Sequence, residues 1–296
     1  MQDPDVSGNP THALCLAPLE DVQPATFGIP DGACDTHAHV VAADPSYPMV
    51  PERSYTPPPA PEEKYLAMLA ATGMQRGVLV QISVYGDDNR YMLEVLKRHP
   101  RQLRGVGVVR ADVSERQLRD MHDAGVRGLR LNVLFGGGTG FEAMEKLAPR
   151  IADMGWHMQF LMDIRHLPEM MPRMQKLPVP GVVDHMGHIP VSLGTAHPGF
   201  QALQHLVRDH GWWVKLSGAY RISQDFPQFR DVVPWAQALV ATASERMLWG
   251  SDWPHVSVGR MPDTGVLRNQ LALWAPDPAT RARILVDNPA RLYDFD

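Results

Sequence analysis

Thiols are nearly absent from this chain: its 296 residues hold two cysteines, Cys15 and Cys34, and no C-x-x-C pair. That excludes a disulfide framework and a zinc site built from thiolates, and it suits a reducing cytoplasm. Positive charge is not in excess either. Lys and Arg number 28 against 33 Asp and Glu, for a formal net charge of -5. No basic field is there to draw nucleic acid or an anionic membrane, so an anionic small molecule would need locally placed arginines. No apolar run reaches the roughly 18–20 residues that a helix needs to cross a bilayer. The opening MQDPDVSGNPTHALCLAPLE lacks the basic start and apolar centre of a secretory signal. No G-x-G-x-x-G follows the first strand-like run, which argues against a dinucleotide-binding sheet.

What is present is an alternation. Short apolar runs that read as strands buried on both faces recur along the chain: ACDTHAHV, RGVLVQIS, GVGVV, RGLRLNV, HMQFLMD, GVVDHMG, WWVKLSG and RMLWGSDWPH. Between them lie stretches with helical spacing, at residues 62–72, 89–98, 114–124, 141–154, 167–176, 199–209 and 228–243. Gly73 offers a C-cap to the first of these. In the fourth, Phe141, Met144, Leu147, Ile151 and Met154 recur at spacings of three and four. Eight strands with helical crossovers predict a (β/α)8 barrel as a single domain over residues 31–296, its active site where the strands end. Residues 1–30, rich in Pro, Gly and Asp, read as an irregular arm laid over the barrel or partly disordered. Several prolines between residues 41 and 61 rule out a regular element there.

The chemistry gathers at the strand ends. His37 and His39, separated by one small residue, project from the same face of the first strand, about 7 Å apart at Cα by the strand rise. Taken alone, such a pair can be one structural and one solvent-facing histidine. Polar residues recur at the same level: Gln81 and Ser83 on the second strand, Arg130 and Asn132 on the fourth, Gln159 on the fifth. Asp184 and His185 close the sixth, Ser217 follows the seventh and Asp252 ends the eighth. Barrel closure hydrogen-bonds strand eight to strand one, so Asp252 becomes a neighbour of His37 and His39, with His185 leaning in. Tyr47 and Tyr55 sit in the loop after strand one, where a tyrosine either closes over the pocket or lies on the surface. His255, three residues after Asp252, either binds substrate or stabilises its loop. The glycine-rich FGGGTG at residues 135–140 lacks the Lys-Ser/Thr of a phosphate loop and reads as a flexible active-site loop.

DTHAHV, VVDHMG, GSDWPH and the terminal NPARLYDF resemble the amidohydrolase superfamily, and within it the branch of 2-pyrone-4,6-dicarboxylate lactonase and the sugar lactonases. The resemblance runs over residues 32–295. It implies a distorted (β/α)8 barrel that hydrolyses lactones rather than amides, in aromatic or sugar-acid catabolism. Binuclear members carry a carboxylated lysine at the end of strand four. This chain has no lysine between Lys97 and Lys146, so a bridged two-metal site is not expected. The pyrone lactonase pattern has a basic pair after strand four and a tyrosine on strand five. Phe135, Gly136 and Leu161 stand at those places here, whereas Arg130 and Arg221 match the family's substrate-binding arginines. One carboxylate or sulfonate on the substrate fits that set.

The expected activity is opening of the lactone of a small carboxylated metabolite. Asp252 would be the general base, and His37, His39 and His185 would polarise the carbonyl. Arg130, Arg221, Tyr55, Ser83 and His255 would contact substrate. No metal is expected to be required. The alternative is a single Zn2+ held by His37, His39 and Asp252, with His185 as a fourth ligand or a hydrogen-bond donor. A metal-dependent decarboxylase or hydratase, and a non-catalytic small-ligand binder, are the other functions this barrel could serve. A homo-oligomer through the outer helices is left open.

Overall fold

The computed structural model describes residues 13–132, 134 and 139–296. Among them, eight parallel strands stand side by side in chain order: β1 (Cys34–Ala38), β2 (Arg76–Val80), β3 (Leu103–Gly107), β4 (Val126–Asn132), β5 (His157–Leu161), β6 (Gly181–Val183), β7 (Trp213–Leu216) and β8 (Met247–Trp249). Helices fill the crossovers, and the expected α/β barrel is the architecture observed. The strands are buried on both faces because helices cover the outside and side chains fill the inside. Valine, which suits a pleated, doubly buried surface, recurs in them at positions 78, 80, 106, 126, 182, 183 and 214, among leucines, methionines and aromatic residues.

The helices start and stop where local chemistry dictates. Glu62–Thr72 ends at Gly73, whose φ of 78° is the left-handed cap conformation that a side chain would resist. Glu115–Asp123 opens on a capping box, the Ser114 hydroxyl accepting from the Gln117 amide and the Gln117 side chain accepting from the Ser114 amide. Pro198–His210 closes on Gly211, again left-handed.

Three expectations need correction. The proline-rich segment is not wholly irregular: Tyr55–Thr56 pairs in parallel with Ala13–Leu14, and Val41 bridges Ala60. Proline blocks ladder bonds only where its own nitrogen must donate, and the bonded nitrogens here belong to other residues. The strands are also shorter than their apolar runs. Ser83, His185, Ser217 and Asp252 lie just past the strand ends, and so does His39, because the chain turns into the mouth of the barrel there. Finally, β8 and β1 share no regular ladder. Their seam is closed mainly by side chains: Thr36 Oγ1 donates to the Trp249 carbonyl (2.8 Å), and the Asp35 carboxylate accepts from the Ser251 amide (2.8 Å) and hydroxyl (2.6 Å). At the end of β1, where Ala38 bridges Trp253, the Asp252 amide donates to the His37 carbonyl and the His39 amide to the Trp253 carbonyl, both at 2.8 Å.

The opposite end of the barrel is plugged by Tyr293 and Phe295. Tyr293 is fully buried, its ring edge-to-face with His157 at 5.2 Å. The guanidiniums of Arg76 and Arg104, from the starts of β2 and β3, lie over the Phe295 ring at 5.0 and 4.7 Å. Arg104 also donates to the Asp294 carbonyl at 2.7 Å. On the site side, residues from 13 onward run across the barrel. The Cys15 amide bonds the Thr56 carbonyl, the Gln23 amide the Asp263 carboxylate, and the Thr26 amide the Asn269 side chain. No helix among the described residues is long and apolar enough to cross a membrane.

Candidate active site

His37 and His39 do share a face: their rings meet edge-on at 5.1 Å between centroids, and both are buried. Each ring is fixed through Nδ1. His39 Nδ1 donates to the Val80 carbonyl at 2.7 Å. A carbonyl can only accept, so the neutral ring presents a lone pair, not a proton, at Nε2. His37 Nδ1 sits between Lys215 Nζ (3.3 Å) and Asp184 Oδ1 (3.2 Å). The ammonium would put the ring proton on Nε2, the carboxylate on Nδ1, so the surroundings of His37 admit both tautomers. Burial pushes the His37 imidazolium down to about 3, only partly opposed by Asp184, and the ring is neutral at ordinary pH.

His185 and Asp252 complete the ring of groups. Both adopt left-handed backbone conformations, φ 50° and 61°, which a non-glycine residue enters only when its surroundings enforce it. Here the enforcing contacts are the turns that leave β6 and β8. His185 Nδ1 meets the Ser217 hydroxyl at 2.9 Å, and its Nε2 lies 3.7 Å from Asp252 Oδ2. Asp252 Oδ1 lies 3.6 Å from His39 Nε2 and 3.8 Å from His37 Nε2. Glycine is required beside two of these groups. A Cβ at Gly250 would come within 2.6 Å of His37 Cβ, and one at Gly218 within 2.8 Å of the His185 ring.

The two oxygens of Asp252 are differently employed. Oδ2 accepts from the Tyr220 hydroxyl at 2.6 Å and from Arg221 Nε at 2.7 Å. Oδ1 is buried and carries no hydrogen bond among the described residues. Burial alone would raise this carboxyl, but the Arg221 guanidinium and the neighbouring imidazoles outweigh it and hold Asp252 well below the usual carboxylate range.

A second layer of buried charge lies beneath. Asp184 Oδ2 accepts from Arg130 Nε and Gln159 Nε2, each at 3.1 Å, and its Oδ1 is 3.9 Å from Lys215 Nζ. Lys215 donates to the Thr36 carbonyl at 2.8 Å. Burial pulls its ammonium down to about 8 against the pull of Asp184. Unpaired, each of these groups would be costly in the interior; paired, they fix the rings above them.

The other residues named from sequence fall as follows. Arg130 and Arg221 each already have a carboxylate partner, Asp184 and Asp252. Tyr55 is buried, and its hydroxyl meets the Ser83 hydroxyl at 2.9 Å. His255 Nε2 meets the Thr264 hydroxyl at 2.8 Å, and its ring faces Tyr220 edge-on at 5.5 Å. Tyr47 donates to Glu94 at 2.7 Å, away from the site. Phe135 and Gly136, with residues 137 and 138 of the glycine loop, lie outside the described residues. Sequence reasoning passed over Tyr220 and Lys215 altogether. The signal for Lys215 was a lone lysine inside the apolar run WWVKLSG; Tyr220 had none beyond its place beside Arg221.

The donor set suits one small divalent cation. His37, His185 and Asp252 bring ligand atoms within 4.8 Å of one another, and His37 Nε2 and Asp252 Oδ1 carry no hydrogen bond. Nitrogen and carboxylate ligands of this kind are those zinc accepts. His39 Nε2, 3.6 Å from Asp252 Oδ1, stands beside them.

Residues 34–295 match the family model described as Amidohydrolase. The chain is 36% identical over 285 residues to the 4-sulfomuconolactone hydrolase of Hydrogenophaga intermedia, covering 94% of each. It is 37% identical over 279 residues to the 2-pyrone-4,6-dicarboxylate hydrolase of Comamonas testosteroni, covering 90% of this chain and 92% of that one. Among solved structures, an apo protein of Agrobacterium tumefaciens superposes with a TM-score of 0.85 at 29% identity, covering 92% of this chain and 99% of the other.

Proposed function

The chain belongs to the amidohydrolase family, and from that premise we propose that it is a lactonase, opening the ring of a small anionic lactone by attack of water. The observation that carries this reading is Asp252, a buried and ionised carboxylate among the imidazoles of His37, His39 and His185, whose Oδ1 carries no hydrogen bond among the described residues. Relatives at 36% and 37% identity over most of the chain are named as hydrolases of lactones that carry acidic groups, which supports the substrate class.

In this reading Asp252 Oδ1 takes a proton from water as the water oxygen bonds to the lactone carbonyl carbon. The ring carbon–oxygen bond then breaks, and the same proton passes to the departing ring oxygen, giving the hydroxy acid. Tyr220 and Arg221 hold Oδ2, so the carboxylate cannot rotate and Oδ1 stays aimed at the reacting atoms. Asp184, Lys215 and Ser217 orient the rings of His37 and His185 in the same way. His39 gives its Nδ1 proton to Val80, so in its neutral form Nε2 is an acceptor or ligand, and in its protonated form a donor to Asp252.

The same donor set would also serve the single-cation alternative. His37, His185 and Asp252, rather than the His37, His39 and Asp252 expected from the sequence, would hold the ion, with His39 adjacent. When bound, it would supply Lewis-acid polarisation of the carbonyl or of the water. The partner is a small anionic molecule.

Asp252→Asn tests the base. It keeps the shape of the side chain and removes the charge, and turnover is expected to fall by about 10²–10⁴-fold. Assays over pyrone carboxylates, muconolactones and aldonolactones, read by acid release, identify the substrate. Carbon dioxide release, or loss of a double bond with the ring intact, would replace lactone opening with decarboxylation or hydration. Elemental analysis, with activity followed through chelation and metal return, tests the ion. About one zinc per chain with activity restored on its return supports it, and full activity in metal-stripped protein removes it.

A further inference from the structure

Tyr220 and Arg221 have a second face. With it they line an open cavity of about 470 Å³, bounded on its other sides by His188, Phe226, Ser257 and Arg260 among others. The cavity therefore begins at the residues that grip Asp252 and ends at the surface. No carboxylate lines it, while two guanidiniums and an imidazole do. An anion entering it meets positive potential without a competing acid.

The charges of the two arginines of the buried site are each matched by a carboxylate, Arg130 by Asp184 and Arg221 by Asp252. An acidic substituent on the substrate is drawn more strongly to a cation with no such partner. Arg260 has no carboxylate partner among the described residues. Its guanidinium lies 3.9 Å from the centroid of the Phe226 ring. Stacking on an aromatic face orients a guanidinium while leaving its N–H donors in the ring plane free for a planar anion. Deeper in the wall, His188 is mostly buried and held neutral by that burial, and its Nε2 carries no hydrogen bond among the described residues.

We propose that Arg260, stacked on Phe226 at the rim of this cavity, is a specificity residue that receives a carboxylate or sulfonate borne by the substrate, with His188 as a polar contact further in. The proposal rests on the lactonase reading and adds to it the direction from which the charged end of the substrate is held. The cavity sets the preference for acidic over neutral lactones, and Asp252 does the chemistry on either.

The test compares muconolactone, which carries one carboxylate, with the neutral D-glucono-1,5-lactone, in the wild type, Arg260→Ala and Arg260→Lys. Loss of the guanidinium is expected to raise KM for muconolactone about tenfold while kcat stays within about twofold. Lysine should recover part of the loss, and KM for the neutral lactone should not move. Because Arg260 is exposed, the wild-type KM for muconolactone should also rise with ionic strength, and that rise should shrink in Arg260→Ala. Equal effects on both substrates, or none on either, overturn the proposal. If the wild type hydrolyses no lactone, the lactonase reading falls. The subsite is then read by calorimetry with 2-pyrone-4,6-dicarboxylate: tighter binding to the wild type than to Arg260→Ala sustains it, and equal binding overturns it.

Discussion

In the proposed mechanism Asp252 accepts a proton, yet where burial would raise its carboxyl the guanidinium of Arg221 holds it down. The pairing favours the ionised form at the expense of basicity. Replacing Arg221 with methionine removes that restraint, and the carboxyl pKa should rise. The activity of the wild type should show no acid limb from Asp252 near neutrality. In Arg221→Met such a limb should enter the pH profile of kcat/KM and move towards neutral pH. An unchanged profile would mean that the ion pair does not set the charge state of Asp252. His37, His39 and Asp252 were legible because a histidine pair in an apolar strand and an aspartate at a strand end are locally conspicuous. The commitments of Arg130 and Arg221 were not, because each partner lies more than thirty positions away in the chain.

Among the elements, the seam between β1 and β8 departs most from an ideal barrel. Thr36, Asp35 and Ser251 do with side chains what a ladder does with backbone, and Gly250 lets the two chains approach. A methyl group there would press on His37 Cβ at 2.6 Å and on the His37 amide nitrogen at 3.0 Å, and backbone cannot swing aside. Gly250→Ala should therefore cost about 1–3 kcal/mol of stability, read as a lower unfolding midpoint in denaturant. Activity should fall further than stability, because the displaced residue is His37. A variant with an unchanged midpoint would show that the seam relaxes freely. The barrel itself was readable from period and length: Glu62–Thr72 forms where the spacing and the following glycine place it. The Ala13–Leu14 and Tyr55–Thr56 pair was not, since two-residue strands leave no period and their pairing spans forty residues. The strand ends were overdrawn because apolar content continues into the turns that carry His185 and Asp252, while only the backbone angle marks the exit.

At the scale of the whole molecule, burial of titratable groups ties stability to pH. Burial pushes His157 down to about 3 and His255 to about 4, whereas an unfolded histidine titrates near 6.5. Below about pH 6.5 the unfolded chain binds protons that the fold refuses, so stability is lost on acidification. Each such group contributes about 1.4 kcal/mol per pH unit until its folded pKa is reached. Asp35 works the other way between roughly pH 4 and 6, because burial raises it to about 6 and its folded form then binds the proton more readily. Melting followed from pH 7 to 5 should show a falling midpoint, with a slope about one proton shallower in His157→Phe. Identical slopes would show that His157 is protonated in the folded state.

The plug formed by Tyr293 and Phe295 bears on which parts of the barrel can open by themselves. Its rings meet His157, Arg76 and Arg104, which belong to three different strands, so the plug ties the floors of β2, β3 and β5 to one another. Local opening at the floor must therefore break all of these contacts together. Amides beside the plug, the Phe295 N–H bonded to the Ala290 carbonyl among them, should exchange about as slowly as those of the strands it touches. Fast exchange there, with the strands still protected, would show that the floor opens alone.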